Sequence, residues 1–376
     1  MLERPLSSIC IHRPGKYLPK DEYSKGGPYR VHGSNSIMGT HTSYLYPGPM
    51  TVLARIGSKC GALAWEPNPA WINNNASVLC AREGTDSRWL HMLLSILNMD
   101  KFREGSGQPF IAVKALLNAP VVVPSLEEQQ RIAGVLGAFD DLIETNRQVA
   151  DNCLTLAKLA AANTLDQCDW SSNLLDHMSV TKGFSYRSSE LNVCGDQHLL
   201  NLKNAGRGGA FRFDGYKRMS TVRHKGGQEV EEGDIVVSLT DLTQDRDIIA
   251  RAFRVERRGL QGTLVASLDL AIVRPNQGVT REFVWAALMD PKFRAHAVPY
   301  CNGTTVLHMK DAALKDFSIP TPTVALMQRL DVLVRPLLEA STHCQTEADH
   351  LTSQRDELLP LLMSGKVRVS EVEGSL

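Results

Sequence analysis

Seven cations lie between residues 203 and 225: Lys203, Arg207, Arg212, Lys217, Arg218, Arg223 and Lys225. They stand against one acid, Asp214, and are interleaved with Phe211, Phe213 and Tyr216. Cations on glycine-rich loops such as Gly206-Arg-Gly-Gly209 approach phosphates closely. Asn, Arg, Lys and Thr on such loops reach base edges in the major groove. The chemistry this composition allows is nucleic-acid binding, and a basic solvated loop is the plain alternative. Catalytic signatures are missing. The chain has no G-x-x-x-x-G-K-[ST] loop, no G-x-S-x-G elbow and no H-E-x-x-H.

Weaker matches reduce to structure. Asn68-Pro-Ala-Trp71 resembles the N-P-P-aromatic motif of amino-methyltransferases, but it lacks the second Pro and a preceding strand that ends in a G-x-G loop. It reads as a turn, because Asn-Pro opens turns. Gly105-Ser-Gly107 is a lone G-x-G with no strand before it. Glu127-Glu128 and Asp140-Asp141 are adjacent on a helix, where neighbours do not share a face, so neither is a paired acid and base. No C-x-x-C or Cys/His cluster of zinc spacing occurs among the eight cysteines, which read as buried or neutral thiols. No metal or cofactor of the chain's own is expected.

These residues need elements to hold them. A chain of 376 residues predicts two or three domains. No apolar run approaches about 18 residues, so no membrane span is expected. The N-terminal segment carries no apolar signal core, which makes cytoplasmic residence the default. Net charge is zero, which taken whole speaks against nucleic acid, yet the distribution alternates. Segment 1–124 carries +5, 125–170 carries −5, 171–320 carries +3 and 321–376 carries −3. Two long basic segments thus alternate with two short acidic ones.

A repeat follows the same plan. Lys114-Ala-Leu-Leu-Asn-Ala-Pro-Val-Val-Val-Pro124 lies opposite Lys310-Asp-Ala-Ala-Leu-Lys-Asp-Phe-Ser-Ile-Pro320, with the Lys and the final Pro in register. Ser106-Gly107 lies opposite Asn302-Gly303, and Gln130-Arg131-Ile132 opposite Gln328-Arg329-Leu330. Each half reads as a mixed α/β region, a Pro-terminated strand and then an acidic helix. Residues 50–56, 235–239 and 264–273 are β-branched-rich and predict strands; 89–99 and 283–289 predict short helices.

The two long helices are the clearest elements. Ser125-Leu-Glu-Glu128 fits a capping box. From Ile132 an apolar seam runs through Leu136, Phe139, Ile143, Asn146, Ala150, Cys153, Ala157 and Ala160. The second seam is Leu330, Val334, Leu337, Ser341, Cys344, Ala348, Leu351, Arg355 and Leu358. Both keep a 3.5-residue period, and Leu351 and Leu358 are large where the first seam is small, which suits two helices packed together. Two ordinary amphipathic surface helices are the alternative. Pro336 is expected to kink the second helix or delay its start. Gly134 and Gly137 each cost the first about 1 kcal/mol relative to Ala.

The motifs resemble those of the specificity subunits of type I restriction–modification systems. Pro124-Ser-Leu-Glu-Glu-Gln-Gln-Arg-Ile132 is similar to the entry of that family's first conserved helix, and Leu358-Leu-Pro-Leu-Leu-Met-Ser-Gly-Lys-Val-Arg-Val369 to the end of its second. Tyr29-Arg-Val-His-Gly-Ser-Asn-Ser-Ile-Met-Gly39 looks like its Y-G-S-N-G-I-I-G loop, followed by Ala54-Arg-Ile-Gly-Ser58 like its R-x-G-S step. His32 and Ser36 depart from that loop. The second helix opens without a Glu-Gln pair, and the second half lacks the loop altogether, so the halves are expected to read different bases.

The resemblance implies an α+β chain of two α/β target recognition domains, 1–124 and 171–320. Two long antiparallel helices, 125–170 and 321–376, would separate them as a coiled coil with a pseudo-two-fold repeat. It implies a non-catalytic reader of a bipartite site in double-stranded DNA. Two methyltransferase subunits would bind S-adenosylmethionine, and motor–nuclease subunits would bring ATP and Mg. The expected DNA-facing residues are Asn35, Ser36, Lys59, Asn74 and Asn75 in the first half. In the second they are Lys203, Asn204, Arg207, Arg212, Asn302 and Thr304. Lys114 and Lys310 occupy matching repeat positions, where phosphate contact and strand-end structure are both open. The expected helix interface is Ile132, Leu136, Phe139, Ile143, Leu330, Val334, Leu337, Leu351 and Leu358. A self-sufficient methyltransferase or nuclease, or a scaffold or antirestriction factor without DNA readout, are the competing readings.

Overall fold

The computed structural model of the chain describes residues 2–34, 36–192, 194–220, 223–241, 246–303 and 306–369. The chain divides into two compact units, Met1–Glu144 with Asp349–Leu376, and Thr145–Ala348. The division passes through both long helices, so each helix contributes to both units.

The first unit begins with β1 (Leu2–Pro5), β2 (Cys10–Pro14), β3 (Tyr29–His32), β4 (Ile37–His41), β5 (Met50–Ala54), β6 (Leu63–Glu66), β7 (Ala70–Ile72) and β8 (Ala76–Ala81). There follow α1 (Ser87–Ile96), β9 (Arg103–Glu104), β10 (Phe110–Ile111), α2 (Val113–Leu117), β11 (Pro120–Val123) and the long α3 (Leu126–Leu165). β2, β8, β5 and β6 form an antiparallel sheet in that order. β3 pairs antiparallel with β4 and parallel with β7. β1 pairs with β11, which brings the chain start to the strand that feeds α3.

The second unit holds β12 (Ser172–Asn173), α4 (Leu174–His177), β13 (Met178–Lys182), β14 (Gln197–Leu200), β15 (Lys217–Met219), β16 (Ile235–Ser238), β17 (Thr240–Asp241) and β18 (Ala252–Arg254). It continues with β19 (Leu264–Ala266), β20 (Leu270–Pro275), α5 (Arg281–Met289), α6 (Pro291–Ala297), β21 (Cys301–Asn302), β22 (Leu307–Met309), α7 (Ala312–Lys315), β23 (Ser318–Ile319) and α8 (Val324–Ser364). Its connectivity repeats that of the first unit, with β17 as an additional short strand beside β22. β13, β20, β16 and β18 form the antiparallel sheet. β14 pairs antiparallel with β15 and parallel with β19, and β12 pairs with β23. α5 lies on the second sheet as α1 lies on the first.

The long helices each join the core of a unit. In the first, Ile132 and Leu136 of α3 pack in one cluster with Leu362 of α8, and Leu358 lies against it. In the second, Ala157, Ala161 and Leu165 share a cluster with Leu330, Val334 and Leu338, and the Ser341 hydroxyl donates to the Ala150 carbonyl at 2.9 Å. Ile132, Leu136, Ile143, Leu330 and Val334 are buried as the seam predicts; Phe139, Leu337, Leu351 and Leu358 are half-buried.

Four details depart from the sequence reading. α8 runs unbroken through Pro336, because the proline is exposed and Val332, whose carbonyl loses its donor, is 73% exposed and open to water. Residues 264–273 form two strands, since the Ser267 and Leu268 amides turn away to the Leu200 and Phe184 carbonyls. Residues 89–99 end their helix at Ile96 and resume as a 3₁₀ turn, Met99–Phe102. Only half of the capping box forms. The Glu128 amide donates to Ser125 Oγ at 3.4 Å, while the Glu128 carboxylate turns to Arg131.

Candidate nucleic-acid interface

In the first unit four loops converge at one end of the sheet, where Ala54 pairs with Ala76. They follow β3, follow β5, precede β8 and join β9 to β10. Backbone bonds tie them together. The Asn73 amide donates to the His32 carbonyl at 2.9 Å. The Arg55 amide donates to the Asn75 carbonyl at 3.0 Å, and the Arg55 carbonyl accepts from the Ile111 amide at 3.0 Å. Arg55 Nη2 reaches the Asn74 carbonyl at 3.2 Å, while its Nε is buried with no partner. Ser36, Lys59, Asn74 and Asn75 are exposed on these loops. Lys114, exposed at the head of α2, shares a groove of about 690 Å³ with Arg55, Glu104 and Phe110. Asn35 lies outside the described residues.

Below the 33–36 loop, Glu66 is fully buried. His32 Nε2 lies 2.8 Å from its carboxylate and the Asn68 amide donates to it at 3.0 Å. Burial pushes the Glu66 carboxyl up, but the bonds from His32 and Asn68 outweigh it and leave the group below the usual carboxylate range. The residue that departs from the Y-G-S-N-G pattern, His32, is thus a buried support for the loop.

The second unit repeats the wiring. The Ser267 amide donates to the Leu200 carbonyl at 2.8 Å, as Asn73 does to His32. The Leu239 amide donates to the Asp269 carbonyl and its carbonyl accepts from the Met309 amide, both at 2.8 Å, as Arg55 does with Asn75 and Ile111. Leu239 therefore stands where the first unit has Arg55. The role of Arg55 was not singled out in the sequence reading; its place in the Ala54-Arg-Ile-Gly-Ser58 motif was the available signal.

Lys203 and Arg212 are exposed on the 201–216 loop, and Arg212 pairs with Asp214 at 3.0 Å. Asn302 and Lys310 are exposed at the β21–β22 ladder and its end. Asn204 is a correction. It is fully buried, accepts from the Asn201 amide at 3.0 Å and donates to the Arg212 carbonyl at 2.9 Å, so it shapes the loop from inside and does not face a ligand. Phe211 and Tyr216 lie against the core and Phe213 meets Tyr216 at 5.4 Å, so these rings also belong to the loop's framework. Thr304 lies outside the described residues, as does the side chain of Arg207.

Comparison with known proteins agrees with this geometry. A family model for the type I restriction modification DNA specificity domain matches residues 2–152. The type I restriction enzyme MjaIX specificity subunit of Methanocaldococcus jannaschii is 24% identical over 347 residues, covering 86% of this chain and 78% of that one. The EcoprrI specificity subunit of Escherichia coli is 28% identical over 122 residues, 32% of this chain and 30% of that one. Among solved structures, the type I restriction–modification S subunit from M. genitalium superposes with a TM-score of 0.64 over 96% of this chain and 95% of its own, at 14% identity, and so shares the fold. Residues 2–152 thus match a type I restriction modification DNA specificity domain, and the chain as a whole is similar to type I restriction enzyme specificity subunits.

Proposed function

We propose that this chain is the non-catalytic DNA-reading subunit of a type I restriction–modification complex. The observation that carries the reading is the pair of equivalent loop platforms, wired by the same backbone bonds but presenting different side chains. Two such platforms read two unlike half-sites, a bipartite asymmetric target in double-stranded DNA. α3 and α8, of 40 and 41 residues, pack antiparallel as a coiled coil and set the spacing. At 1.5 Å per residue each is about 60 Å long. The recognition domains are 1–124 and 171–320, and the helical segments 125–170 and 321–376.

The helices also recruit the enzymes. Exposed apolar side chains support this: Leu142 and Leu156 on α3 and Val332 and Leu333 on α8 are each at least 40% exposed. Two methyltransferase subunits dock there and bring S-adenosylmethionine; motor–nuclease subunits bring ATP and Mg. Adenine must leave the base stack to be methylated, so this chain grips the duplex while its partners act on the extruded base. The complex works in the cytoplasm; none of the described helices is long and apolar enough to cross a membrane.

Co-expression with the cognate methyltransferase in a methylation-free host, followed by single-molecule sequencing, tests the reading. A gapped adenine-methylated motif that vanishes on deletion of this chain is expected. A soluble complex that leaves DNA unmethylated would overturn it.

A further inference from the structure

The second unit contains a cavity of about 510 Å³ between α3, the Gly208–Gly209 turn, the start of β18 and the α5–α6 junction. Three cations line it: Lys158, Arg251 and Arg294. Among the described residues none of them forms an ion pair. Lys158 Nζ donates to the Gly208 carbonyl at 2.9 Å, Arg251 Nε to the Asp247 carbonyl at 3.2 Å, and Arg294 Nη2 to the Arg246 carbonyl at 2.6 Å. Arg294 Nε is buried with no hydrogen-bond partner. The acids around them are Asp151, Asp247 and Asp290. Asp290 lines the cavity, but its carboxylate accepts from the Lys292 amide at 2.8 Å and caps α6. Burial, and then the charge of Arg251, holds the Lys158 amine below its usual range; burial, and then Arg294, does the same to Arg251. The three charges therefore repel one another in a partly desolvated space, and a bound anion would relieve that repulsion.

The remaining wall is apolar, with Met289 and several alanines. A group that is anionic at one end and apolar at the other suits it. Gly208 and Gly209 belong to the 201–216 loop, and Ala250 to the loop that follows Leu239, so the cavity opens among the loops of the second reading platform. We infer that this cavity seats a phosphodiester of a DNA strand, with the three cations on the phosphate and the adjoining sugar on the apolar wall. The inference rests on the DNA-reading function proposed above. It adds a sequence-independent anchor, and it gives α3, acidic as a whole, a direct contact with DNA through its one cation in the second unit beyond Arg147, Lys158.

The test uses the full chain assembled with its co-expressed methyltransferase subunits and a labelled random-sequence duplex, with affinity measured from low to high salt. Each lost phosphate contact lowers the slope of log affinity against log salt by about one. Lys158→Met is expected to lower the slope by about one with an unchanged melting temperature, and Lys158→Arg to restore it. Wild-type slope and affinity in folded Lys158→Met would overturn the inference and leave the DNA-reading function standing. Inorganic phosphate that raises the melting temperature of wild type but not of Lys158→Met, with duplex slopes equal, would also overturn it, since the seat would then serve a free anion. A wild-type complex that shows no salt-dependent binding to DNA would overturn both.

Discussion

Gly183 stands so close to Ser267 that a Cβ on it would lie 2.1 Å from the Ser267 carbonyl oxygen; Gly15 stands in the same relation to Asn73, also at 2.1 Å. Each glycine directly follows the first strand of its four-stranded sheet and donates its amide to the start of the neighbouring strand, Gly15 to Ala76 and Gly183 to Leu270. The obstacle in both cases is backbone, which cannot swing aside as a side chain does. Gly15→Ala and Gly183→Ala should each destabilise the chain by about 1–3 kcal/mol through forced overpacking. Urea unfolding checks this, and unchanged midpoints would show that the sheets part without cost.

Two glycines early in α3 look alike in sequence and differ in place. A Cβ on Gly134 meets nothing within 4 Å, whereas one on Gly137 would meet the Arg88 guanidinium at 2.8 Å. Arg88 lies flat on the helix there, donating to the Gly137 carbonyl at 2.9 Å and to Asp141 at 2.6 Å and 3.0 Å. Gly134→Ala should therefore stabilise the protein by about 0.5–1 kcal/mol from helix propensity alone. Gly137→Ala should lose that gain by displacing Arg88. Equal melting shifts for the two variants would refute the role given to Arg88.

The duplication was legible because it is written in side chains with fixed positional meaning, Lys114 and Lys310 at or just before the start of a short helix and Pro124 and Pro320 after a strand. The wiring of the platforms was not. Arg55 and Leu239 share no chemistry, and their equivalence lies wholly in main-chain bonds that any residue can make. Asn204 was misplaced for the opposite reason, since an Asn on a basic loop serves equally to face a base or to brace the loop. Only its burial, with both ends of its amide in use, separates the two. Along α3, Ile132, Leu136, Ile143, Ala150 and Ala157 are buried while Phe139 is half-buried, so the apolar period reports which side of the helix is covered but not how deeply each residue sits.

Acid should weaken the first unit through His91. Burial, then the charges of Arg88 and Arg355, lowers its pKa to about 4. The unfolded chain titrates near 6.5, so between those values it binds a proton that the folded chain refuses. This contribution is fully present above about pH 6.5 and is lost as pH falls toward 4, with an upper limit of about 3 kcal/mol. His91→Gln, which retains a polar group toward Thr51 Oγ1, now 3.2 Å from His91 Nδ1, should flatten the stability profile across that window. Parallel acid arms in wild type and variant would exclude His91 as the cause.

Arg55→Leu separates reading from folding. It installs in the first unit the residue type that the second already carries at the same position, and the main-chain bonds to Asn75 and Ile111 remain available because Leu239 makes their counterparts. What is lost is the guanidinium beside Asn74 and Lys114, with its buried, unpartnered Nε. The variant should assemble with its methyltransferase and melt near wild type. In single-molecule sequencing of a co-expression host, one half of the methylated motif should relax or fade, with loss of a good bidentate base contact costing about 1–3 kcal/mol, while the other half persists. Relaxation of both halves together would mean that Arg55 sets the grip of the whole subunit and not the reading of one half-site. An unaltered motif would remove it from the interface.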